Sequence, residues 1–322
     1  MKRLRSQFAW WLLSLSFLCL SACSAGIVNA GASSAGSGSG SSGSGSNGSG
    51  SGSSGSGSGS SGSGSTGSGS GGSSSSGSGS GGSGSGSSGS GAAGSGPNVP
   101  TDAISVSGIQ ALTGWLAVDD PGTDGSAAGT TAIVGSPSLS GNALEFSTTY
   151  TSYGGELYYV AFGEDTTSKN FVYDGWVYFD NSAISIANLE MDMNQVMPNG
   201  ETVIFGLQCD GWAGTWDYTE NAGTPAAPID RWVHSSAACN AQTWSHNTWH
   251  HVQASYSRDD DGNVNYQSVW LDGNQEQINA TVPSAFALGW APTLLTNFQV
   301  DSIAPGLSTS TVYLDNLTVS RW

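Results

Sequence analysis

Two carboxylates stand two residues apart in the stretch NLEMDMNQ, residues 188–195. Side chains of an extended chain alternate between faces, so Glu190, Asp192 and Asn194 leave one side of a strand and Leu189, Met191, Met193 and Gln195 the other. Paired carboxyl groups are what glycoside hydrolysis needs: one gives a proton to the leaving oxygen while the other attacks or activates water. The next position on that face carries Asn194, and an amide cannot serve as an acid. The strand is therefore equipped to hold polar groups but lacks an acid/base partner of its own. Asp217 or Glu220, further along, are the candidates to supply one.

Beyond this strand lies Gln208, and then DGWAGTWDYTENAGTPAAPIDRWVHSSAA between Cys209 and Cys239. This segment reads as a polar, Gly- and Pro-containing loop carrying Trp212, Trp216, Tyr218 and Trp232. Flat aromatic faces flanked by Asp, Asn and Gln suit sugar rings. Glu190, Asp192, Asn194 and Gln208 are expected to line a sheet face, with Trp212 and Trp216 at its rim.

The elements that must position these groups begin after a long leader. Lys2, Arg3 and Arg5 precede the apolar run FAWWLLSLSFLCL, the pattern of a signal peptide over residues 1–22. LSAC, residues 20–23, resembles the bacterial lipobox, which implies lipidation of Cys23 and a lipidated N-terminus over 23–30. Ser24, rather than Asp, after that cysteine implies the outer membrane of a double-membrane envelope, and so a lipid-anchored protein of the cell envelope or surface. Residues 31–99 are almost wholly Gly and Ser and are expected to be a disordered linker, because they have no apolar surface to offset backbone entropy. Their root-mean-square reach is roughly 45 Å. Cys209 and Cys239 are the cysteines left in the exported part and are expected to form a disulfide.

All 24 acidic residues lie beyond position 100, against Lys169, Arg231, Arg258 and Arg321 there. That field repels nucleic acid and anionic polysaccharide and leaves neutral glycans, cations or basic partners.

Residues 100–322 read as one all-β domain. Runs such as FVYDGWVYFD, SIANLEMDMNQ, TWHHVQASYS and TVYLDNLTVSRW are rich in β-branched and aromatic residues and are separated by Gly, Asn, Asp or Pro. Only short pieces such as IQALTGWLA could be helical, so two antiparallel sheets packed face to face are expected. WHHVQASYSRDDDGNVNYQSVWLDG reads as a hairpin turning over Asp259–Asn263. In the last strand Tyr313, Leu317 and Val319 are expected to face inward and Leu314 outward, with Asp315 an acid on the apolar side that needs a partner. His250 and His251 are adjacent on a strand and cannot share one ion.

W-H-H-V-x-A-x-Y, then V-W-L-D-G, then V-Y-L-D-N-L-T-V together resemble the concanavalin A-like lectin and glucanase superfamily, including laminin G-like domains, over roughly residues 140–322. The resemblance implies a jelly-roll β-sandwich that serves lectins, binding modules, hydrolases and lyases alike. Family 16 glycoside hydrolases in it carry E-x-D-x-E or E-x-D-x-x-E; Glu190 and Asp192 match the first two positions, and would be the catalytic pair of an enzyme, whereas Asn194 or Gln195 replaces the acid/base. Alginate-lyase-like members need a Q-I-H strand, and here Cys209 and Asp210 follow Gln208. Asp315 aligns with a last-strand Asp that ligates structural calcium in family 16. These features together favour non-catalytic binding of a neutral polysaccharide or glycan. Glycan cleavage, and a structural or adhesive lipoprotein without a small ligand, remain the alternatives.

Overall fold

The computed structural model describes residues 96–322. The signal peptide 1–22, Cys23 with segment 23–30, and the Gly/Ser stretch as far as residue 95 lie outside the described residues. In chain order the first strands are β1 (Ile104–Ser107), β2 (Leu116–Asp119), β3 (Ser126–Val134), β4 (Ala143–Thr151), β5 (Gly155–Gly163), β6 (Asn170–Phe179) and β7 (Ile186–Val196). There follow β8 (Thr202–Phe205), β9 (Leu207–Asp210), β10 (Thr215–Asn221), β11 (Asp230–Ala238), β12 (Trp249–Arg258) and β13 (Asn263–Leu271). The last are β14 (Asn274–Pro283), β15 (Ala285–Phe286), β16 (Thr293–Ser302) and β17 (Ser308–Arg321). The IQALTGWLA stretch divides into a 3-10 turn at Ile109–Ala111 and strand β2.

The strands make two antiparallel sheets. The back sheet runs β14-β13-β12-β6-β17-β4-β3, with β1 paired to β17. The front sheet runs β11-β10-β9-β7-β16-β5-β2, with β8 on the far half of β7 and β15 on β8. This is the expected all-β sandwich, and β12 and β13 form the expected hairpin, with Gly262 at positive φ in its turn. Between the sheets lies an aromatic core in which Phe146 stacks on Phe298 at 4.6 Å and Phe171 meets Phe205 at 5.0 Å. Leu189, Met191 and Met193 deliver one side of β7 to it. Gly206 separates β8 from β9; a Cβ there would come within 2.5 Å of the Thr219 side chain, so only glycine lets the chain pass this close to β10.

Three local expectations change. The segment between the cysteines is a hairpin of β10 and β11 rather than a loop, and the Cys209–Cys239 disulfide ties the end of β11 back across β10 to β9, Cα to Cα 5.3 Å. Trp216 alternates inward from β10 and is 1% exposed within the core, so it cannot stand at a ligand rim. In β17 the register shifts between Asp315 and Thr318, with Asn316 at φ 50, and this bulge switches the inward parity. Val312 and Leu314 face the core before it and Leu317 and Val319 after it, while Tyr313 packs edge-on against Tyr178.

The burial of Trp216 sets an expected outcome. Trp216→Ala should cost about 3–5 kcal/mol of unfolding free energy, whereas Trp212→Ala, at a side chain 44% exposed, should stay within about 0.5 kcal/mol. Urea denaturation of residues 96–322 measures both, and equal losses would contradict the assignment.

Candidate functional site

The side of β7 turned away from the core is the centre of an acidic groove. Cross-strand register aligns Val118, Leu157, Gln299, Glu190, Gln208, Asp217 and His234 in one row across β2, β5, β16, β7, β9, β10 and β11. A neighbouring row holds Gly155, Asp301, Asn188 and Asp210, and the row on the other side holds Tyr159, Asn297 and Asp192. Neighbours within a row stand about 4.8 Å apart at the backbone. Polar side chains therefore recur on every second residue because β7 and β16 alternate strictly, as NLEMD and NFQVD spell out.

Two loops raise walls over this face. The β2–β3 connection brings Asp120, Pro121 and Thr123 to one side, and the β10–β11 hairpin brings Asp230 and Trp232 to the other. Between them lie two adjoining depressions of about 70 and 270 Å³ that share Asp120, Glu190, Asp230, Trp232 and Gln299. Gln299 is the hub: its Nε2 donates to Asp120 Oδ2 at 3.0 Å, Asp301 Oδ1 at 3.0 Å and Glu190 Oε1 at 3.1 Å. Asp192 Oδ1 accepts from the Leu207 N–H at 3.1 Å. Asp217 accepts from Thr215 Oγ1 at 2.7 Å and, through its other oxygen, lies 2.7 Å from His234 Nδ1.

Burial dominates the electrostatics. It pushes Asp192 up to about 8 and, aided by the neighbouring Asp120 charge, Asp301 up to about 7. Glu190 is raised well above the usual carboxylate range by burial and then by Asp192. Asp217 reaches about 6, since burial is partly offset by its bonds from Thr215 and His234. Protonated, these groups can donate as well as accept hydrogen bonds.

The expected site residues thus divide. Glu190, Asp192 and Gln208 line the groove together. Asn194 shares their face but is fully buried in the half covered by the apolar cluster of Trp290, Leu157, Tyr159, Val196 and Leu295. Trp212 lies in the β9–β10 turn near Tyr153 and is not among the residues lining the two depressions, and Trp216 is in the core. Asn297, Gln299 and Asp301 were not anticipated, although the alternation in TNFQVDS marks them. Asp120 comes from the β2–β3 loop and Asp230 from the first position of β11, without any local signal.

Asp315 does not present itself as a calcium ligand. Its carboxylate accepts from Gln110 Nε2, Ser138 Oγ, Ser140 Oγ and the N–H groups of Leu139 and Ser140. Burial alone would raise its pKa, but the bonds from Ser140 and Ser138 outweigh it and hold the group below the usual range. Among the described residues, Asp210, Asp217 and His234 form a group that could hold a metal, with ligand atoms within 4.8 Å of one another. An imidazole in that set suits a transition metal better than calcium.

No family model and no curated protein matches the chain. Among solved structures it is similar to a carbohydrate-binding module of the β-sandwich superfamily at 11% identity and a TM-score of 0.35, covering 65% of this chain and 57% of that one. Lectin II from Ulex europaeus is similar at 12% identity and a TM-score of 0.35, covering 68% and 99%. An alginate lyase from a Chlorella virus is similar at 10% and 0.34, covering 62% and 93%. Values this low carry no functional argument.

The raised carboxyl groups fix the sign of a pH dependence. Each binds its proton more tightly in the folded than in the unfolded state, so the native protein holds more protons between the two pKa values and loses stability as pH rises through that interval. With Asp217 at about 6, Asp301 at about 7 and Asp192 at about 8, the thermal midpoint of residues 96–322 should fall from about pH 4 to about pH 8. Asp301→Asn should flatten the profile, and a midpoint that rises across the interval would contradict the assignment.

Proposed function

We propose that the groove on the front sheet binds a carbohydrate and that the domain is a glycan-binding module. The observation that carries this reading is the continuous row Gln299–Glu190–Gln208–Asp217, polar side chains held in register on a rigid sheet beside the half-buried ring of Trp232. Amide and carboxyl groups offer the paired hydrogen bonds that sugar hydroxyls need, and an indole face offers the apolar surface that a pyranose presents edge to edge with them. In the same proposal Cys23 anchors the protein to a membrane by lipid, at the outer membrane or cell surface, and the Gly/Ser segment holds the module away from it.

Glycan cleavage is the second reading, and one observation favours it. Asp217 stands on the same row as Glu190 with Gln208 between them, about 10 Å apart at the backbone from two strand spacings. Inverting hydrolysis uses one protonated and one ionised carboxyl on either side of a water. Glu190, whose affinity for its proton burial raises well above the usual carboxylate range, has the chemistry of the acid, and Asp217 beside His234 that of the base.

Titration calorimetry of residues 96–322 against oligosaccharide panels separates the readings. Binding is expected, weakened roughly tenfold or more by Trp232→Ala or Glu190→Gln and unchanged by Trp212→Ala. Release of reducing ends that Glu190→Gln abolishes would move the reading to cleavage. Silence across all glycans, or binding indifferent to both groove variants, would overturn it.

A further inference from the structure

At one end of the sandwich, where the chain crosses from β11 of the front sheet to β12 of the back sheet, lies a cavity of about 420 Å³ that shares no lining residue with the two groove depressions. Ala238 and Cys239 of its wall come from the end of β11, Trp244 from the crossover, and His250, Leu271 and Asp272 from the back sheet and the turn that follows β13. We propose that this cavity is a second ligand site, independent of the groove, and that it takes the acetamido group of an N-acetylated neutral sugar.

The frame of the cavity is held by contacts of its own. The Cys209–Cys239 disulfide pins one wall to β9. The Trp244 indole is stacked on Phe179 at 5.4 Å and meets the His250 ring at 5.1 Å. His250 is tied at both nitrogens, Nδ1 lying 2.8 Å from Asp272 Oδ2 and Nε2 3.0 Å from the Ser245 carbonyl oxygen, and the other oxygen of Asp272 accepts from the His251 N–H at 2.8 Å. One buried group of this frame is left unmet. Trp244 is 6% exposed, and its Nε1–H has no hydrogen-bond partner among the described residues. A buried donor without an acceptor is costly, and here it belongs to a side chain that lines a cavity of ligand size.

The surroundings define the acceptor that this donor calls for. Among the described residues no Lys or Arg lines the cavity, and Asp272 is the one acid there, so carboxylate and phosphate oxygens are disfavoured and a neutral acceptor is required. A hydroxyl brings a donor along with its acceptor, and the oxygens of Asp272 are already engaged; an amide carbonyl accepts without donating from the same atom. Ala238, Cys239 and Leu271 add apolar surface to the same cavity, which suits the methyl group that an acetamide carries beside its carbonyl. Thr243 and Ser245, both exposed, give hydroxyl partners for the acetamide N–H and for the hydroxyls of the sugar ring.

The test is NMR of isotope-labelled residues 96–322, following the indole N–H signals, with β-1,4-linked trimers of N-acetylglucosamine and of glucose as probes. The Trp244 signal, assigned by its loss in Trp244→Phe, is expected to shift saturably with the N-acetylglucosamine trimer and to stay in place with the glucose trimer. Read from the backbone signals of Ala238 and Leu271, Trp244→Phe, which keeps a ring and removes the donor, should weaken binding roughly fivefold. Ala238→Trp, which fills the cavity from an exposed position, should abolish the shift, with circular dichroism showing both variants folded. The shift should persist in Glu190→Gln and in Trp232→Ala; if those groove variants abolish it, the cavity falls as the seat and the glycan-binding groove stands. A Trp244 signal that neither trimer moves would overturn the proposal, and calorimetric binding that still depends on Trp232 and Glu190 would then leave the groove reading intact. An equal shift from the glucose trimer would overturn the acetamido assignment. A shift from a peptide bearing acetylated lysine, with none from the sugar, would overturn it in favour of a protein partner. An ordered water on Trp244 Nε1 that stays in place at saturating trimer in a crystal would overturn it as well.

Discussion

The central constraint is that β7 is buried along its whole length while its two faces have opposite chemistry. On one side Leu189, Met191 and Met193 complete the sandwich core; on the other Glu190 and Asp192 are carboxyl groups removed from water. A one-residue slip would place both carboxyls in the core and the methionines in the groove, so register is held by the full weight of both faces. The ten-residue ladder to β16 meets this demand by presenting Asn297 opposite Asp192 and Gln299 opposite Glu190, an amide for each acid.

Energetically the groove works against the fold that carries it. Burial raises Glu190, Asp192 and Asp301, which means that at neutral pH the native state either keeps protons it would otherwise release or tolerates repulsion among charges. Strain of this kind concentrates at functional sites because a ligand can relieve it. The disulfide and the aromatic core supply the compensating stability, and both lie directly beneath or beside the groove strands. The covered half of the same face, where Trp290 and Leu295 bury Asn194, limits how much acidic surface must be held open.

Much of this was legible in the sequence wherever period-two alternation is strict. The strand of NLEMDMNQ, the shared face of Glu190 and Asp192, the hairpin over Asp259–Asn263 and the cysteine pair all follow from local pattern and composition. What escaped depends on contacts far along the chain. Trp216 read as a loop aromatic because Gly and Pro surround its segment, and only the pairing of β10 with β9 turns it inward. Asn194 read as a groove residue because nothing local announces that residues near Trp290 fold over it. The β17 parity held for Leu317 and Val319 but failed before the bulge at Asn316, where Leu314 rather than Tyr313 faces the core. Asp315 read as a calcium ligand, but serines and amides some 175 residues earlier supply donors instead.

The most direct test is a crystal structure of residues 96–322 soaked with the tightest-binding oligosaccharide. Sugar density should lie along the row from Gln299 to Asp217, with one ring against Trp232 and a polar sugar group within hydrogen-bond distance of Glu190 Oε2. Density at Trp212 or on the back sheet, with the groove unchanged, would contradict the account.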